Sequence, residues 1–319
     1  MVLPSVDVVI PTLNCATSLE ECLRRIRAQT YSGKVNVIIV DAGSTDSTLE
    51  VAKSYEATVF VNVGQPPDGL TGARNFGIAQ GTSELVWLVD SDNLVVEPSV
   101  LAALVEPLAQ DASVWLSIPV TSIDPSASAL NNYLSRVEIL GLETRTQGGV
   151  KIGEWRRVSD LNYGLPNCCM IRRAALKKIG GHDSDVRVLS RLRRAGLAKA
   201  VIVLNAHFYH NQTRGALHYY RKLLGRFSFY AGMTDGMAQD YFAEPFPSEA
   251  VTTPIKARSI GDILIHFWLP FRQWLKTHET GWRAGMTIPF IYATLVLLHP
   301  VKVWRAYARV FSPRSPRSR

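Results

Sequence analysis

The stretch Leu85-Val86-Trp87-Leu88-Val89-Asp90-Ser91-Asp92-Asn93 decides how the rest of this sequence is interpreted. Its five leading apolar residues are too few for a stable helix and predict a fully buried strand. Two carboxylates follow where the strand ends, and the carboxyl ends of strands in an open α/β sheet face the crevice where ligands bind. Asp90 and Asp92 repel each other unless a cation lies beside them, and their oxygen atoms suit Mg²⁺ or Mn²⁺. The alternative is an acidic turn that caps a helix beginning near Pro98 and Ser99.

Strands and helices alternate along the first hundred residues. Residues 7–10, 36–40 and 58–63 predict three further strands, and residues 18–29, 47–54 and 73–80 predict helices, the first capped by Ser18. This alternation predicts βαβ units and an α/β fold whose sheet is mostly parallel, with helices on both faces. Asp41 follows the second strand as Asp90 follows the fourth, so the sequence outlines a nucleotide site at one edge of the sheet.

Four segments of this region resemble, in order and spacing, the motifs of family 2 glycosyltransferases of the GT-A fold: residues 8–14, 40–48, 72–79 and 89–93. The resemblance implies inverting transfer of a sugar from a nucleotide-diphosphate donor, such as a UDP- or GDP-sugar. It implies that the donor nucleotide is bound by Pro11, Thr12, Asn14, Asp41, Gly43, Ser44, Arg74, Asp90 and Ser91. Mn²⁺ or Mg²⁺ would be held by Asp92 with help from Asp90.

Individual roles follow from position in these motifs. The resemblance implies that Asp41 contacts the donor base, that Arg74 contacts the nucleotide or its phosphates, and that Asp90 also reaches the ribose. Many relatives carry a second acid where this chain has Ala42. That departure leaves the identity of the base open.

The resemblance continues to about residue 215 and includes an acceptor-side segment. In the family, a Glu-Asp pair lies about seven residues before an Arg-Leu pair, and its Asp is the catalytic base. Counting back from Arg191 and Leu192 reaches Asp185, which we predict to be the base, with Asp183 as the alternative. An acceptor hydroxyl must lose its proton to a positioned carboxylate. Either Asp could instead only cap a helix over residues 186–195.

Basic residues near the end of the recognisable region form a further group of candidates. Relatives often carry a His and a basic residue here that approach the donor diphosphate. The resemblance thereby implies diphosphate contacts for His210, Arg221 and Lys222. The alternative is a solvated helix face with tyrosines on its core side.

Length and composition bound the organisation of the chain. Its 319 residues allow one large α/β domain and an appendage. We predict a GT-A catalytic domain over 1–230, with a nucleotide-binding half at 1–95 and an acceptor half at 96–230, a helical membrane-associated appendage over 231–311, and a basic tail over 312–319. Four cysteines without C-x-x-C spacing predict no disulfide framework, which fits a reduced cytosolic compartment. The first strand begins without the basic start and apolar run of a signal peptide.

Charge is unevenly distributed. Residues 1–100 hold 6 Lys/Arg against 12 Asp/Glu, a net of −6, and residues 250–319 hold 11 against 2, a net of +9. The basic segment also carries apolar runs and four tryptophans, and residues 284–301 lack charged side chains, at the lower edge of length for a membrane span. Helices lying on an anionic membrane surface, or a re-entrant hairpin, fit this pattern better than a span. The other interpretation is a packed subdomain or homodimer interface, and the apolar runs argue against nucleic acid.

Together these features predict a metal-dependent inverting glycosyltransferase at the cytoplasmic membrane face, acting on a lipid-linked or growing glycan acceptor. One alternative is a nucleotidyltransferase, which should carry a Gly-rich phosphate loop near its first strand. The segment Pro11-Thr12-Leu13-Asn14 is not such a loop. The other alternative is a non-catalytic membrane protein that binds nucleotide sugars, and the retained Asp90, Asp92 and Asp185 argue against it.

Overall fold

The computed structural model describes residues 3–61, 70–146, 150–152, 154–158, 168–181, 191–192, 194–197, 199–232, 272 and 284–311. Its strands are β1 (Val6–Thr12), β2 (Val35–Asp41), β3 (Thr58–Val61), β4 (Leu85–Leu88), β5 (Asn93–Val95), β6 (Leu116–Ser122), β7 (Val150–Ile152), β8 (Trp155–Val158), β9 (Met170–Arg172) and β10 (Ala200–His210). Its helices are α1 (Ala16–Arg27), α2 (Thr48–Ser54), α3 (Leu70–Gln80), α4 (Val100–Gln110), α5 (Ala129–Thr146), α6 (Arg173–Lys178), α7 (Ala216–Gly232), α8 (Ile288–Leu298) and α9 (Pro300–Phe311).

All of these strands join one sheet in the order β3-β2-β1-β4-β9-β6-β10-β8-β7, with β5 paired to β10. The first four strands in that order are mutually parallel, because α1, α2 and α3 return the chain to the same edge after each strand. This confirms the predicted α/β fold with its alternating strands and helices. Parallel pairing does not extend across the whole sheet, since β9 runs antiparallel between β4 and β6. A three-residue strand carries too little pattern to reveal its direction in the sequence.

The start of α1 differs from the prediction. The helix begins at Ala16, and the hydroxyl of Ser18 donates to the Cys15 carbonyl instead of capping the helix, so the predicted cap is wrong. The Ala16 amide donates to an oxygen of Asp46 at 3.2 Å. A carboxylate from the following loop therefore accepts from an amide at the helix start, where intrahelical acceptors are missing.

Close packing between α3 and the parallel strands depends on Gly77. A Cβ at this position would lie 2.6 Å from Val9 Cγ1 and 2.9 Å from Val40 Cγ2. The missing side chain lets the helix approach the sheet face, which is lined by buried branched residues. The close packing therefore sets the distance between the sheet and Arg74, which lies on the same helix.

The chain divides into two compact units, one of residues 1–123 and 138–211 and another of residues 124–137 and 212–319. In the second unit, α7, α8 and α9 pack on one another, and Gly285 lies against the buried ring of Tyr133. Within the described residues, the structure contains no helix with the length and apolarity needed to cross a membrane. The apolar stretch 284–301 is divided at His299, between α8 and α9. The predicted domain boundaries remain predictions.

Candidate functional site

The carboxyl ends of β1, β2 and β4 lie side by side at one edge of the sheet. Thr12 at the end of β1 is in register with Asp41 at the end of β2, and Val9 is in register with Leu88 at the end of β4. The loops that follow these strands therefore border one region, as the sequence predicted. Such a strand-end region is where open α/β sheets bind ligands.

Asp41 organises the loop after β2. Its side chain is fully buried, and its oxygens accept hydrogen bonds from the Thr12 hydroxyl at 2.9 Å, the Gly43 and Ser44 amides at 2.9 and 2.7 Å, and the Ser44 hydroxyl at 2.5 Å. Burial alone would raise the pKa of Asp41, but these hydrogen bonds outweigh it and lower the pKa. Gly43 adopts a φ of +97°, which a side chain would disfavour.

The loops after β1 and β2 are interlocked through Asn14. Its amide donates to the Ser44 hydroxyl at 2.8 Å, and its side-chain oxygen accepts from the Thr45 amide at 2.8 Å. Asn14 itself has a φ of 49°, a left-handed conformation that Asn tolerates better than most residues. The two loops therefore behave as one preformed wall of the site.

These contacts sharpen the predicted nucleotide-binding set. Thr12 and Asp41 are buried and bonded to each other, while Asn14 lies on the exposed side of the same loops. A base contact by Asp41 would require one of its present hydrogen bonds to be replaced. Pro11 is buried within β1. In this conformation Thr12 and Asp41 shape the wall. The base contact of Asp41 and the nucleotide contact of Thr12 remain predictions.

The turn after β4 presents its first carboxylate to Arg74. One terminal nitrogen of Arg74 lies 2.8 and 3.0 Å from the two oxygens of Asp90, and the two side chains are 7% and 22% exposed. The turn is closed by Asn93, whose side chain accepts from the Asp90 amide and whose own amide donates to the Asp90 carbonyl. The nearby helix α4 begins at Val100 without a side-chain capping bond from its N-cap residue. The turn is therefore directed at Arg74, and the capping alternative is not supported.

The second carboxylate faces the end of β10. Because β5 pairs antiparallel with β10, with Asn93 opposite His210, the strand end lies against the turn. The Asn211 amide donates to the Asp92 carbonyl at 2.8 Å, and His210 Nε2 lies 3.8 Å from Asp92 Oδ1. The other ring nitrogen of His210, Nδ1, lies 2.8 Å from Glu138 Oε1. The structure thus brings Asp92 and His210 together although they are far apart in sequence.

Asp92 and His210 fit a divalent ion better than Asp90 does. Two donors that each lie about 2.1 Å from one ion are separated by about 3 to 4 Å, which matches the spacing between Asp92 and His210. Asp90 is already engaged by Arg74. Within the described residues, no three His, Cys, Asp or Glu side chains form a metal cluster. An ion held here would complete its coordination with water and substrate phosphates, as Mg²⁺ commonly does.

The remaining predicted residues are placed as follows. Ser91 lies partly exposed in the turn between the two carboxylates. Arg221 and Lys222 lie on α7 in the second unit, where Lys222 donates to a backbone carbonyl and Arg221 is exposed. Asp183 and Asp185 lie outside the described residues. The roles predicted for all five residues remain predictions.

Two contacts at this site carry no signal in the sequence. Glu138 lies in the long helix α5 with no motif around it, and only the fold reveals that it reaches His210. Asn75 points to Gly181, where a Cβ would lie 3.0 Å from the Asn75 side-chain oxygen. Gly181 has a φ of +101° and directly precedes the predicted base segment. Gly181, the last described residue before that segment, therefore lies beside α3.

Comparisons with known proteins agree with this architecture. The family described as glycosyl transferase family 2 matches residues 7–180. The glycosyltransferase GlyG of Streptococcus pneumoniae is 32% identical over 213 residues, covering 64% of this chain and 69% of the relative. The glycosyltransferase AglE of Haloferax volcanii is 36% identical over 95 residues, covering 28% of this chain and 31% of the relative. The chain spans 31–40% of the length of the first curated relatives that it matches.

A solved structure shows the same fold. The mannosyltransferase PcManGT of Pyrobaculum calidifontis, in complex with GDP-Man and Mn²⁺, has a TM-score of 0.55 at 18% identity. The superposition covers 98% of this chain and 88% of that protein. The family match includes all four motifs and the strands that carry them, so the chain belongs to glycosyl transferase family 2.

Proposed function

We propose that this protein is a metal-dependent glycosyltransferase that moves a sugar from a nucleotide-diphosphate donor to an acceptor hydroxyl or phosphate. The observation that carries the proposal is the turn after β4, where Arg74 holds Asp90 while Asp92 faces His210. The interlocked loops after β1 and β2 border the same edge of the sheet. PcManGT was solved with GDP-Man and Mn²⁺, which makes these the first ligands to test.

Each side chain in this arrangement has a distinct task in the proposal. Asp92 and His210 would hold a divalent ion, and such an ion would supply Lewis-acid stabilisation of charge on the departing diphosphate. Arg74 contributes a fixed positive charge beside the same turn, and its contact with Asp90 keeps it in place. Because Arg74 is almost entirely buried, its charge needs no reorganisation when the diphosphate leaves.

The donor experiment is a thermal-shift screen of the full chain with UDP-glucose, GDP-mannose and a dTDP-sugar, with and without Mn²⁺. A donor at a hundred times its dissociation constant stabilises the folded state by about 2.7 kcal/mol. We expect one donor class to raise Tm further when Mn²⁺ is present than when it is absent. Asp92→Ala should lose this Mn²⁺-dependent increase, while its Tm without ligand stays that of the wild type. Full stabilisation of the Asp92→Ala protein would contradict the metal role.

The same preparation separates the proposal from its alternatives. A glycosyltransferase releases a nucleoside diphosphate from the donor when acceptor is present. A non-catalytic binding protein would be stabilised by donors without releasing that product. A nucleotidyltransferase would release pyrophosphate from a nucleoside triphosphate. Product analysis by anion-exchange chromatography distinguishes the three cases.

We infer that transfer inverts the anomeric carbon and that Asp185 is the base, with Asp183 as the alternative. In such a transfer the acceptor oxygen forms a bond to the anomeric carbon as the bond to the diphosphate breaks, and the carboxylate takes the acceptor proton. The position of Gly181 beside Asn75 supports this assignment, because Gly181 precedes Asp183 and Asp185 closely in the sequence and lies beside the helix that carries Arg74.

The base assignment is tested by two matched variants. Asp185→Asn should lower turnover on the order of 10²–10⁴-fold, with donor affinity unchanged because the base acts on the acceptor. Asp183→Asn serves as the control two residues away. If Asp183→Asn is inactive while Asp185→Asn is active, the role belongs to Asp183. The stereochemistry of the product, measured by NMR, tests inversion directly.

We further propose that the protein works at an anionic membrane surface on the cytoplasmic side, where a lipid-linked or growing glycan acceptor is available. In the second unit, the exposed large apolar residues on α8 and α9 include Phe290, Val296, Leu297, Leu298, Val301 and Trp304. Lys302 and Arg305 are exposed beside them, and residues 284–311 contain no acidic side chain. Apolar and basic residues together match a surface of anionic headgroups over acyl chains.

The membrane proposal is tested by sedimentation of the full chain with vesicles of neutral lipid or of neutral lipid with anionic phosphatidylglycerol. We expect binding to anionic vesicles that 0.5 M salt reduces but does not abolish, because the apolar contribution is not screened. Leu297→Ser and Trp304→Ser should weaken it, while Leu217→Ser, at another exposed site on α7, should not. If the protein does not bind anionic vesicles and instead dimerises through the exposed apolar surface of α8 and α9, the membrane proposal is wrong.

A further inference from the structure

The end of β10 carries two His side chains, each paired with a glutamate. His207 Nδ1 lies 3.0 Å from Glu97 Oε1, and His210 Nδ1 lies 2.8 Å from Glu138 Oε1. The two pairs differ in surroundings, because the side chain of His210 is 10% exposed and that of His207 is 33% exposed. Only the second pair borders the carboxylate turn after β4.

The contact with Glu138 determines which nitrogen of His210 carries a proton. An ionised carboxylate can only accept a hydrogen bond, so the proton on that side of the ring belongs to Nδ1. In the neutral imidazole, Nε2 then carries the lone pair, and Nε2 is the atom that lies 3.8 Å from Asp92 Oδ1. A His that ligates a metal through one nitrogen commonly donates its other N–H to a carboxylate in this way.

Glu138 also restricts the orientation of the ring. The backbone of His210 is fixed by the pairing of β5 with β10, and the following amide of Asn211 holds the Asp92 carbonyl. The ring can still rotate about its side-chain bonds, and the contact from α5 selects one orientation. Strand pairing therefore sets the distance between the two backbones, while Glu138 sets the direction of the imidazole.

We propose that Glu138 is a positioning residue for the metal site: it fixes the tautomer and orientation of His210 so that Nε2 can bind a divalent cation together with Asp92. This inference rests on the proposed function. Loss of such a partner typically weakens metal affinity 10–100-fold without removing a ligand. The effect acts through His210, so Glu138 itself touches neither the metal nor the donor.

The test is Mn²⁺ binding to the full chain, followed by the electron paramagnetic resonance signal of free Mn²⁺, in the presence of UDP or GDP. Glu138→Ala should weaken Mn²⁺ binding 10–100-fold with nucleoside diphosphate present. Glu138→Gln should recover most of the affinity, because its amide oxygen can still accept from Nδ1. Glu97→Ala is the matched control, since it removes the same kind of contact from His207.

A kinetic measurement separates positioning from a general structural role. With Glu138→Ala, the Mn²⁺ concentration for half-maximal sugar transfer should rise 10–100-fold, while the rate at saturating Mn²⁺ stays within about threefold of the wild type. A loss of rate that saturating Mn²⁺ does not restore would overturn the inference. So would equal Mn²⁺ affinities for Glu138→Ala and Glu97→Ala.

The outcomes also distinguish this inference from the proposed function. If the wild-type chain binds no Mn²⁺ with any nucleoside diphosphate, the metal-dependent function fails and the positioning role fails with it. If the wild type binds Mn²⁺ and His210→Ala loses it, but Glu138→Ala does not, only the positioning role is wrong. Thermal unfolding of each variant shows whether the altered chain is folded.

Discussion

Two arginine–aspartate ion pairs lie at opposite ends of the parallel strands. They consist of the same residue types but differ in burial and in position. Arg173 Nη2 lies 2.5 Å from Asp7 Oδ2, near the amino end of β1, and both side chains are buried. Arg74 contacts Asp90 at the carboxyl end of β4, where the carboxylate is partly open to solvent. The first pair is enclosed in the protein interior, and the second borders the candidate site.

The difference lies in how fully each carboxylate is satisfied. Asp7 also accepts from the Ser83 amide at 2.9 Å, the Ser83 hydroxyl at 2.6 Å and the Asn36 side chain at 2.8 Å. A Cβ at Gly81 would lie 2.1 Å from Asp7, so no ligand could enter there. An Arg–Asp pair that is enclosed on all sides therefore stabilises the fold. A pair of the same type with one side open to solvent can also contact a ligand.

The largest expected effect comes from breaking the enclosed pair. Arg173→Leu leaves the Asp7 carboxylate buried without its counter-charge and should lower the free energy of unfolding by about 3–5 kcal/mol. Urea denaturation of the full chain measures the loss. Donor binding by the folded fraction should be unchanged, because Arg173 lies at the other end of the sheet. A loss below about 1 kcal/mol would show that this ion pair does not stabilise the folded state as proposed.

The open pair should give the opposite pattern. Asp90→Asn keeps the shape of the side chain but removes the charge that orients Arg74, and we expect sugar transfer to fall on the order of 10²–10³-fold. The free energy of unfolding should change by less than about 2 kcal/mol, because water reaches the substituted group. Transfer assays and urea denaturation on the same preparation give both numbers. The comparison fails if Asp90→Asn loses stability without losing activity.

The sequence predicted the site residues of one pair, and it predicted the contact within neither pair. Asp90 and Arg74 lie in motifs whose order and spacing are specific, but the contact between them is seen only in the structure. Asp7 and Arg173 are separated by most of the catalytic region, and β9, which brings Arg173 back beside β1 and β4, is too short to predict. Patterns of three or four residues do not specify strand direction.

The same limit applies within the site. The family resemblance identified His210, but the contact of its ring with Glu138 is seen only once the fold places Glu138 of α5 beside the end of β10. Asp41 was predicted as a ligand for a base, and the structure shows how completely its own loop occupies it. Motif position indicates that a residue matters, while the hydrogen bonds that decide its task form only in the fold.

A smaller effect should appear in the pH dependence of stability. Burial alone would raise the pKa of Asp7, but hydrogen bonds from Asn36 and Ser83 and the charge of Arg173 outweigh it and lower the pKa. The unfolded chain therefore binds this proton more readily, so the pair stabilises the fold above the ordinary Asp pKa of about 3.9. That stabilisation should be lost as pH falls through the lower folded-state pKa. Asp7→Asn should flatten the acid limb of a stability–pH curve, and an unchanged slope would contradict the assignment.

The smallest effect should come from a third pair that lies on the surface. Hydrogen bonds from Arg24 and Arg25 lower the pKa of Glu21 to about 2, although Glu21 is partly exposed and Arg24 is well exposed to solvent. Water and salt screen such pairs, so Glu21→Gln should cost less than about 1 kcal/mol in urea denaturation, and less still in 0.5 M salt. A cost near that of Arg173→Leu would mean that charge pairing alone stabilises this protein. The expected small cost would instead show that the Asp7–Arg173 pair contributes more to the free energy of unfolding because it is enclosed.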